Sequence, residues 1–209
     1  MRHRRAAETR AAILCAAADI FARAGLDGAR TDAIAAAAGV NKALLYYYFK
    51  SKGDLYAAVL EDHLREFSER GLRVLAADES PSVTVLRYVS LHFDFISARP
   101  YYPVLFQRLM MTGGPLVGRL ARKYFLPLGK KFLRVIERGV RNGEFRPVDS
   151  RHAAISLVAL TVFYFSSAPI VRRVGGFDPF QPAHLARRKR EVLNFIRHGL
   201  FRRPEECEA

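Results

Sequence analysis

The sequence predicts an all-α protein, with a small helix-turn-helix head followed by a larger helical body. Apolar residues recur at helical spacing along the chain, and glycine and proline divide this pattern into about nine segments. No segment shows the alternating pattern of a strand. Half of the 209 residues are hydrophobic, which suffices for a packed core.

The first three predicted helices form the head. Ala6–Ala24 has one apolar face, and Gly25 is expected to end this helix. Thr31 is placed to cap the second helix, and Gly39 is placed to end it, because glycine adopts the left-handed conformation without strain. Asn41 is expected to cap the third helix, since its side chain accepts orphan backbone N–H groups.

A long fourth helix links the head to the body. Ser51 is expected to cap it, and it runs from Lys52 to about Ala76. Pro127 predicts a kink near Tyr124 in a later helix, because proline removes one backbone hydrogen bond and clashes with the preceding turn. The remaining helices are predicted from residue 81, and over residues 104–111, 116–141, 150–167 and 182–201.

The third helix carries residues suited to DNA. In the stretch TDAIAAAAGVNKALLYYYFKSK, Lys42 and Ala43 fall in the first turn of that helix, the end that reaches base edges in a helix-turn-helix. Lysine can donate to guanine O6 and N7, and an alanine methyl can touch a thymine methyl. Donors suited to phosphate oxygens follow at Tyr46, Tyr47, Tyr48 and Lys52. The pattern alone also fits an ordinary packed helical hairpin with half-buried tyrosines.

Residues from about Thr9 to Leu60 resemble the DNA-binding domain of TetR/AcrR-family transcriptional repressors. The matching stretches are TRAAILCAAADIFARAG and TDAIAAAAGVNKALLYYYFKSKGDLY, which agree in order, spacing and residue type. By position, the resemblance implies phosphate contacts from Thr31, Tyr47, Tyr48 and Lys52. It implies base contacts from Lys42, Ala43 and Tyr46.

The resemblance also implies two domains with different functions. Residues 1–52 are expected to be the DNA-binding domain, with the helix at 52–76 as the link, and residues 53–209 the ligand-binding and dimerisation domain. The expected function is a ligand-responsive repressor that binds a palindromic double-stranded DNA operator as a homodimer. The helices at about 150–167 and 182–201 stand where subunits of this family pair. A two-fold dimer places two reading helices on successive major-groove faces, roughly 34–36 Å apart.

The body is expected to bind an unknown small-molecule effector, apolar or amphipathic in character. Candidate lining residues, chosen as aromatic or adaptable apolar side chains, are Phe93, Phe106, Met110, Tyr124 and Phe163. Candidate polar anchors are His92, Gln107 and Arg108. Taken singly, each of these residues is better explained as part of an ordinary helical core.

Charge and cysteine content agree with a cytoplasmic DNA-binding protein. The net charge is +14, which favours a polyanionic partner, although the predominance of arginine over the seven lysines also fits a compositional bias. Through Lys52 there are nine Lys or Arg against four Asp or Glu. Cys15 and Cys207 form no disulfide or zinc pattern. The N-terminal MRHRRAAETR has no apolar run after it and is expected to be a mobile basic arm.

Two other classes of protein are considered. The uncharged run from Ala153 to Val171 raises the possibility of a membrane-associated basic helical protein, although serine and threonine dilute it. An enzyme of unrecognised type is the second alternative. The sequence lacks a nucleophile elbow and phosphate-binding glycine motifs, and its six histidines show no metal-ligand spacing. No cofactor and no metal are therefore expected.

Overall fold

The computed structural model describes residues 2–99 and 101–203, except for the side chains at positions 2, 3 and 112. Cys207 lies outside these residues. Within them the chain forms eleven α-helices, one π-helical turn and no named strand, which confirms the all-α prediction. The helices are α1 (Arg2–Gly28), α2 (Thr31–Ala37), α3 (Lys42–Tyr48), α4 (Lys52–Leu75), α5 (Pro81–Ser97), α6 (Tyr102–Thr112), α7 (Gly114–Leu120), α8 (Leu126–Arg141), α9 (Ser150–Ser166), α10 (Ala168–Val174) and α11 (Pro182–Leu200).

Two prolines explain why there are more helices than predicted. The segment at 116–141 is divided into α7, a π-helical turn (Ala121–Phe125) and α8, with Pro127 in the first turn of α8. The disturbance predicted near Tyr124 therefore takes the form of a widened turn. A further helix follows the one predicted over residues 150–167, because Pro169 lies in the first turn of α10, where a missing N–H is harmless. α9 and α10 meet at an angle of 57°.

The first helix is longer than predicted and contains a break. It begins at Arg2, so the described part of the basic arm is helical and continuous with α1. Gly25 has φ 71 and ψ −178, and the chain then resumes helical geometry as far as Gly28. The positive φ requires glycine here, whereas the nearest atom to an added Cβ, Nη1 of Arg108 at 2.8 Å, ends a flexible side chain that can move aside.

The described residues divide into two compact units. The first contains residues 2–65 and 101–120, which include α1, α2, α3, the beginning of α4, α6 and α7. Its core is closed by fully buried side chains on successive helices, at Ile13, Phe21, Ile34, Leu45 and Leu55. The ring of Phe21 meets Tyr56 edge-on, with centroids 5.0 Å apart.

The second unit contains residues 66–99 and 121–203, with the end of α4, α5, α8, α9, α10 and α11. Phe145 and Phe201 are fully buried and stacked, with ring centroids 5.2 Å apart. Gly139 on α8 leaves room for this stack, because a Cβ there would overlap the Phe145 ring. Among the described residues, no single helix has both the length and the apolar content to span a membrane, and only the bent α9–α10 pair meets these criteria jointly.

Candidate nucleic-acid interface

The turn between α2 and α3 is built as the sequence predicted. Gly39 has φ 66, and the N–H of Val40 donates to the carbonyl of Ala35 at 3.0 Å. The Asn41 side chain accepts from the N–H of Leu44 at 2.7 Å, which confirms the predicted cap of α3. The cap predicted at Thr31 is wrong: the N-cap of α2 is Arg30, and Thr31 is the first helical residue.

One face of α3 is directed to solvent. Leu45 is fully buried and fixes the orientation of the helix, while Tyr47 on the opposite side is 80% exposed. Lys42 and Ala43 are also exposed, and Tyr46 is 40% exposed. Tyr48 is half-buried, like Thr31 and Lys52. The exposed polar face therefore begins at the N-terminal end of α3.

Two contacts join this face of α3 to the first turn of α2. The hydroxyls of Thr31 and Tyr46 lie 3.4 Å apart. Nζ of Lys42 donates to the Asp32 carboxylate, at 2.9 Å from Oδ1 and 3.1 Å from Oδ2. The hydrogen bond from Lys42 lowers the pKa of the Asp32 carboxyl, and the same bond raises the pKa of Lys42. These contacts fix the polar side chains of α2 and α3 next to each other in the free protein.

Lys52 has a structural role that the sequence did not reveal. Its Nζ donates to the backbone carbonyls of Asp27 at 2.9 Å and Ala29 at 3.1 Å. It therefore ties the first residue of α4 to the end of α1, and two of its three N–H donors are already engaged. At the same helix start, the Ser51 side chain accepts from the N–H of Asp54 at 3.0 Å, as predicted for a cap.

Two charged residues at this surface were missed in the sequence. Asp32 and Arg30 flank Thr31, and both are exposed next to the start of α3. Arg30 is close enough to the carboxylate of Asp32 to contribute to the lowering of its pKa. Their positions on either side of Thr31 were visible in the sequence, but the pairing with Lys42 depends on how α2 and α3 dock.

The five candidate effector residues lie in different environments. Phe93 is buried against Phe165, with ring centroids 5.1 Å apart, and Tyr124 is buried in the π-helical turn. Phe163, by contrast, is 71% exposed on α9. Phe106 and Met110 belong to the first unit, where Phe106 stacks on Tyr102 at 6.1 Å and Met110 is exposed. The five residues are therefore divided between the two units.

An open cavity of about 780 Å³ lies within the first unit. Its wall is mostly apolar, and it includes Gln107 and Arg108, two of the predicted polar anchors, but neither Phe106 nor Met110. Arg108 makes no hydrogen bond or ion pair with another described residue, although its charge acts on the nearby Tyr56. The third predicted anchor, His92, is buried in the second unit beside Thr161.

A separate apolar surface lies on the last three helices. Ile155 and Phe163 on α9 are two helical turns apart and both are exposed. The other strongly exposed apolar side chains of these helices are Ile170, Val174 and Phe195. Exposed apolar side chains mark contact surfaces between proteins where they form a large contiguous patch.

A glycine turn that joins two short helices and leaves one polar face of the second helix exposed is the arrangement of a helix-turn-helix DNA-binding protein. Two family models match: bacterial regulatory proteins of the tetR family, over residues 13–59, and the tetracyclin repressor-like C-terminal domain, over residues 81–196. The chain belongs to the TetR family of transcriptional regulators. It is accordingly a DNA-binding regulator and not an enzyme.

A curated relative agrees with this assignment, and solved structures share the fold. The HTH-type transcriptional regulator RutR of Escherichia coli strain K12 is 33% identical over 175 residues, covering 84% of this chain and 82% of RutR. The structure of the ketosteroid transcriptional regulator KstR2 of Mycobacterium tuberculosis aligns with a TM-score of 0.77 at 20% identity, over 93% and 95% of the two chains. AibR, in complex with isovaleryl coenzyme A and operator DNA, aligns with a TM-score of 0.75 at 17% identity, over 90% and 97%.

Proposed function

We propose that this regulator reads operator DNA with the exposed face of α3 and acts as a ligand-responsive repressor in the bacterial cytoplasm, where the operator lies. The observation that supports this most directly is the single exposed face that carries Lys42, Tyr46 and Tyr47 opposite the buried Leu45. A helix of this shape fits the major groove of DNA, with its N-terminal residues at the base edges.

The proposed DNA contacts are of two kinds, to base edges and to phosphates. Lys42, Ala43 and Tyr46 face the bases, and the phosphate donors are Thr31, Tyr47, Tyr48 and Lys52. Lys52 has one N–H donor left for a phosphate after its two backbone hydrogen bonds. Its loss therefore weakens DNA binding in two ways, by removing a charge and by releasing α4 from the end of α1.

Dimerisation is proposed to occur through α9 and α11. Both helices expose large apolar side chains, Phe163 on α9 and Phe195 on α11. Burial of such groups in a second copy removes apolar area from water, which drives association. Two heads on one dimer double the phosphate contacts and require an operator with two-fold symmetry.

The effector is proposed to be a small apolar or amphipathic molecule that binds the cavity of the first unit. The cavity volume of about 780 Å³ lies in the range of small-molecule sites, and Arg108 can hold an anionic group. AibR is a protein of this fold that holds both a small ligand and operator DNA. A metabolite that releases DNA from the wild-type protein should have a weaker effect on a Val104→Trp variant, whose larger side chain occupies part of the cavity. Release from both proteins alike would contradict this site.

A gel-shift assay with the DNA upstream of the protein's own gene tests the DNA-binding proposal. In excess non-specific DNA, the wild-type protein is expected to retard this fragment. Lys42→Ala should weaken specific binding by roughly 5- to 150-fold, the value of one good base contact. Lys130→Ala removes the same charge from an exposed position on α8 and serves as the matched control. Equal binding by Lys42→Ala and the wild type would contradict the contact assignment.

A further inference from the structure

We propose that Asp32 is a specificity-determining residue, and that Asp32 and Lys42 together read one G·C base pair in each half of the operator. This inference rests on the proposed DNA-binding role of α3. The sequence indicated only hydrogen-bond donors on this surface. Asp32 adds a carboxylate acceptor, and with it a preference for one base pair.

Asp32 and Lys42 form an exposed ion pair between the starts of two helices. Asp32 lies in the first turn of α2, Lys42 is the first residue of α3, and both Asp32 oxygens are within hydrogen-bond distance of Lys42 Nζ. The two side chains remain 59% and 51% exposed. The ion pair therefore stands at the surface that faces the groove, and each partner keeps hydrogen-bonding capacity for a third group.

The edge of a G·C base pair offers hydrogen-bonding groups that match both side chains. In the major groove a G·C pair presents two acceptors, guanine O6 and N7, beside one donor, the cytosine N4 amino group. An ammonium next to a carboxylate matches this order, because Lys42 donates to guanine while Asp32 accepts from cytosine. Adenine also offers Asp32 a donor, its N6 amino group, but it gives the ammonium only one acceptor, N7, and an A·T pair places the thymine methyl in the same groove. The preference for G·C therefore rests on the two adjacent acceptors of guanine.

The carboxylate of Asp32 also acts against binding to other sequences. A carboxylate that approaches DNA is repelled by the phosphates and loses water, and this cost is offset only where a base supplies a donor. Without Asp32, Lys42 is free to pair with any phosphate. Asp32 is thus expected to lower non-specific affinity while raising the ratio of specific to non-specific binding.

The test is selection from a DNA library with randomised half-sites, followed by binding measurements over a range of salt concentrations. The wild-type protein should enrich one G·C pair at the same position of both half-sites. Asp32→Ala should lose a roughly 5- to 150-fold preference at that position, bind non-specific DNA more tightly and show a salt slope steeper by about one. Asp19→Ala is the matched control, because it removes a carboxylate from an exposed ion pair with Arg23 on α1.

A double-mutant cycle decides whether the two side chains act as a unit. If they do, Asp32→Ala with Lys42→Ala should reduce the G·C preference no further than the more harmful single change. Additive losses, or an unchanged preference in Asp32→Ala, would overturn the inference while leaving α3 as the reading helix. Failure of the wild-type protein to enrich any sequence would instead overturn the proposed function, and this inference with it.

Discussion

Acid should destabilise this protein through one buried histidine. His92 on α5 lies 2.7 Å from the Thr161 hydroxyl, which itself donates to the carbonyl of Val158 at 2.7 Å. Because the Thr161 hydroxyl has one proton and donates it to Val158, it can only accept from His92. Nδ1 of His92 is therefore protonated and donates to Thr161. The ring also packs against Phe67, with centroids 5.0 Å apart. These contacts suit the neutral imidazole.

Burial lowers the pKa of His92 from 6.5 to about 4. The unfolded chain therefore binds more protons than the folded protein between these two values, and stability falls as pH falls through that window. From these pKa values, His92 alone should remove about 2 kcal/mol of unfolding free energy between pH 7.5 and pH 5.

Urea unfolding of His92→Phe and the wild-type protein isolates this contribution. Both are measured at one protein concentration, because dimerisation makes stability concentration-dependent. The wild-type protein should lose about 2 kcal/mol more than His92→Phe between pH 7.5 and pH 5. His152→Gln, which changes an exposed histidine, should follow the wild type. The reasoning is refuted if His92→Phe loses as much stability as the wild-type protein.

Three further changes test the packing, the turn and the subunit surface. Gly139→Ala should reduce the unfolding free energy by roughly 1–3 kcal/mol in urea, because the added methyl overlaps the Phe145 ring, and an unchanged midpoint would contradict that packing. Asn41→Ala should cost roughly 0.5–2 kcal/mol and speed amide exchange in α3, whereas Asn41→Ser should keep the cap. Phe163→Glu should convert the dimer to a monomer in sedimentation velocity, and Met111→Glu, at another strongly exposed apolar residue, should not. A dimeric Phe163→Glu protein would place the interface elsewhere.

Local signals predicted the head of the protein well, because they act over a few residues. Gly39 and Asn41 produce a left-handed turn and a cap whichever tertiary structure surrounds them. Proline was harder to interpret, because it can end one helix or begin the next. Pro169 begins α10, and the sequence alone does not distinguish the two outcomes.

The polar details of the site depend on how the helices pack. Lys42 pairs with a residue ten positions earlier, and Lys52 with carbonyls more than twenty positions earlier. No periodic pattern encodes such pairs. The effector residues were chosen by side-chain type, and this choice does not separate a buried aromatic such as Phe93 from an exposed one such as Phe163.

Hydroxyl-radical footprinting of the dimer on its selected operator tests most directly whether α3 reads DNA. Two protected patches are expected on one face of the duplex, with centres roughly 34–36 Å or a multiple of one helical turn apart, and both should fade in Tyr47→Ala. A single patch, or protection that Tyr47→Ala and Lys42→Ala leave unchanged, would contradict the role of this helix.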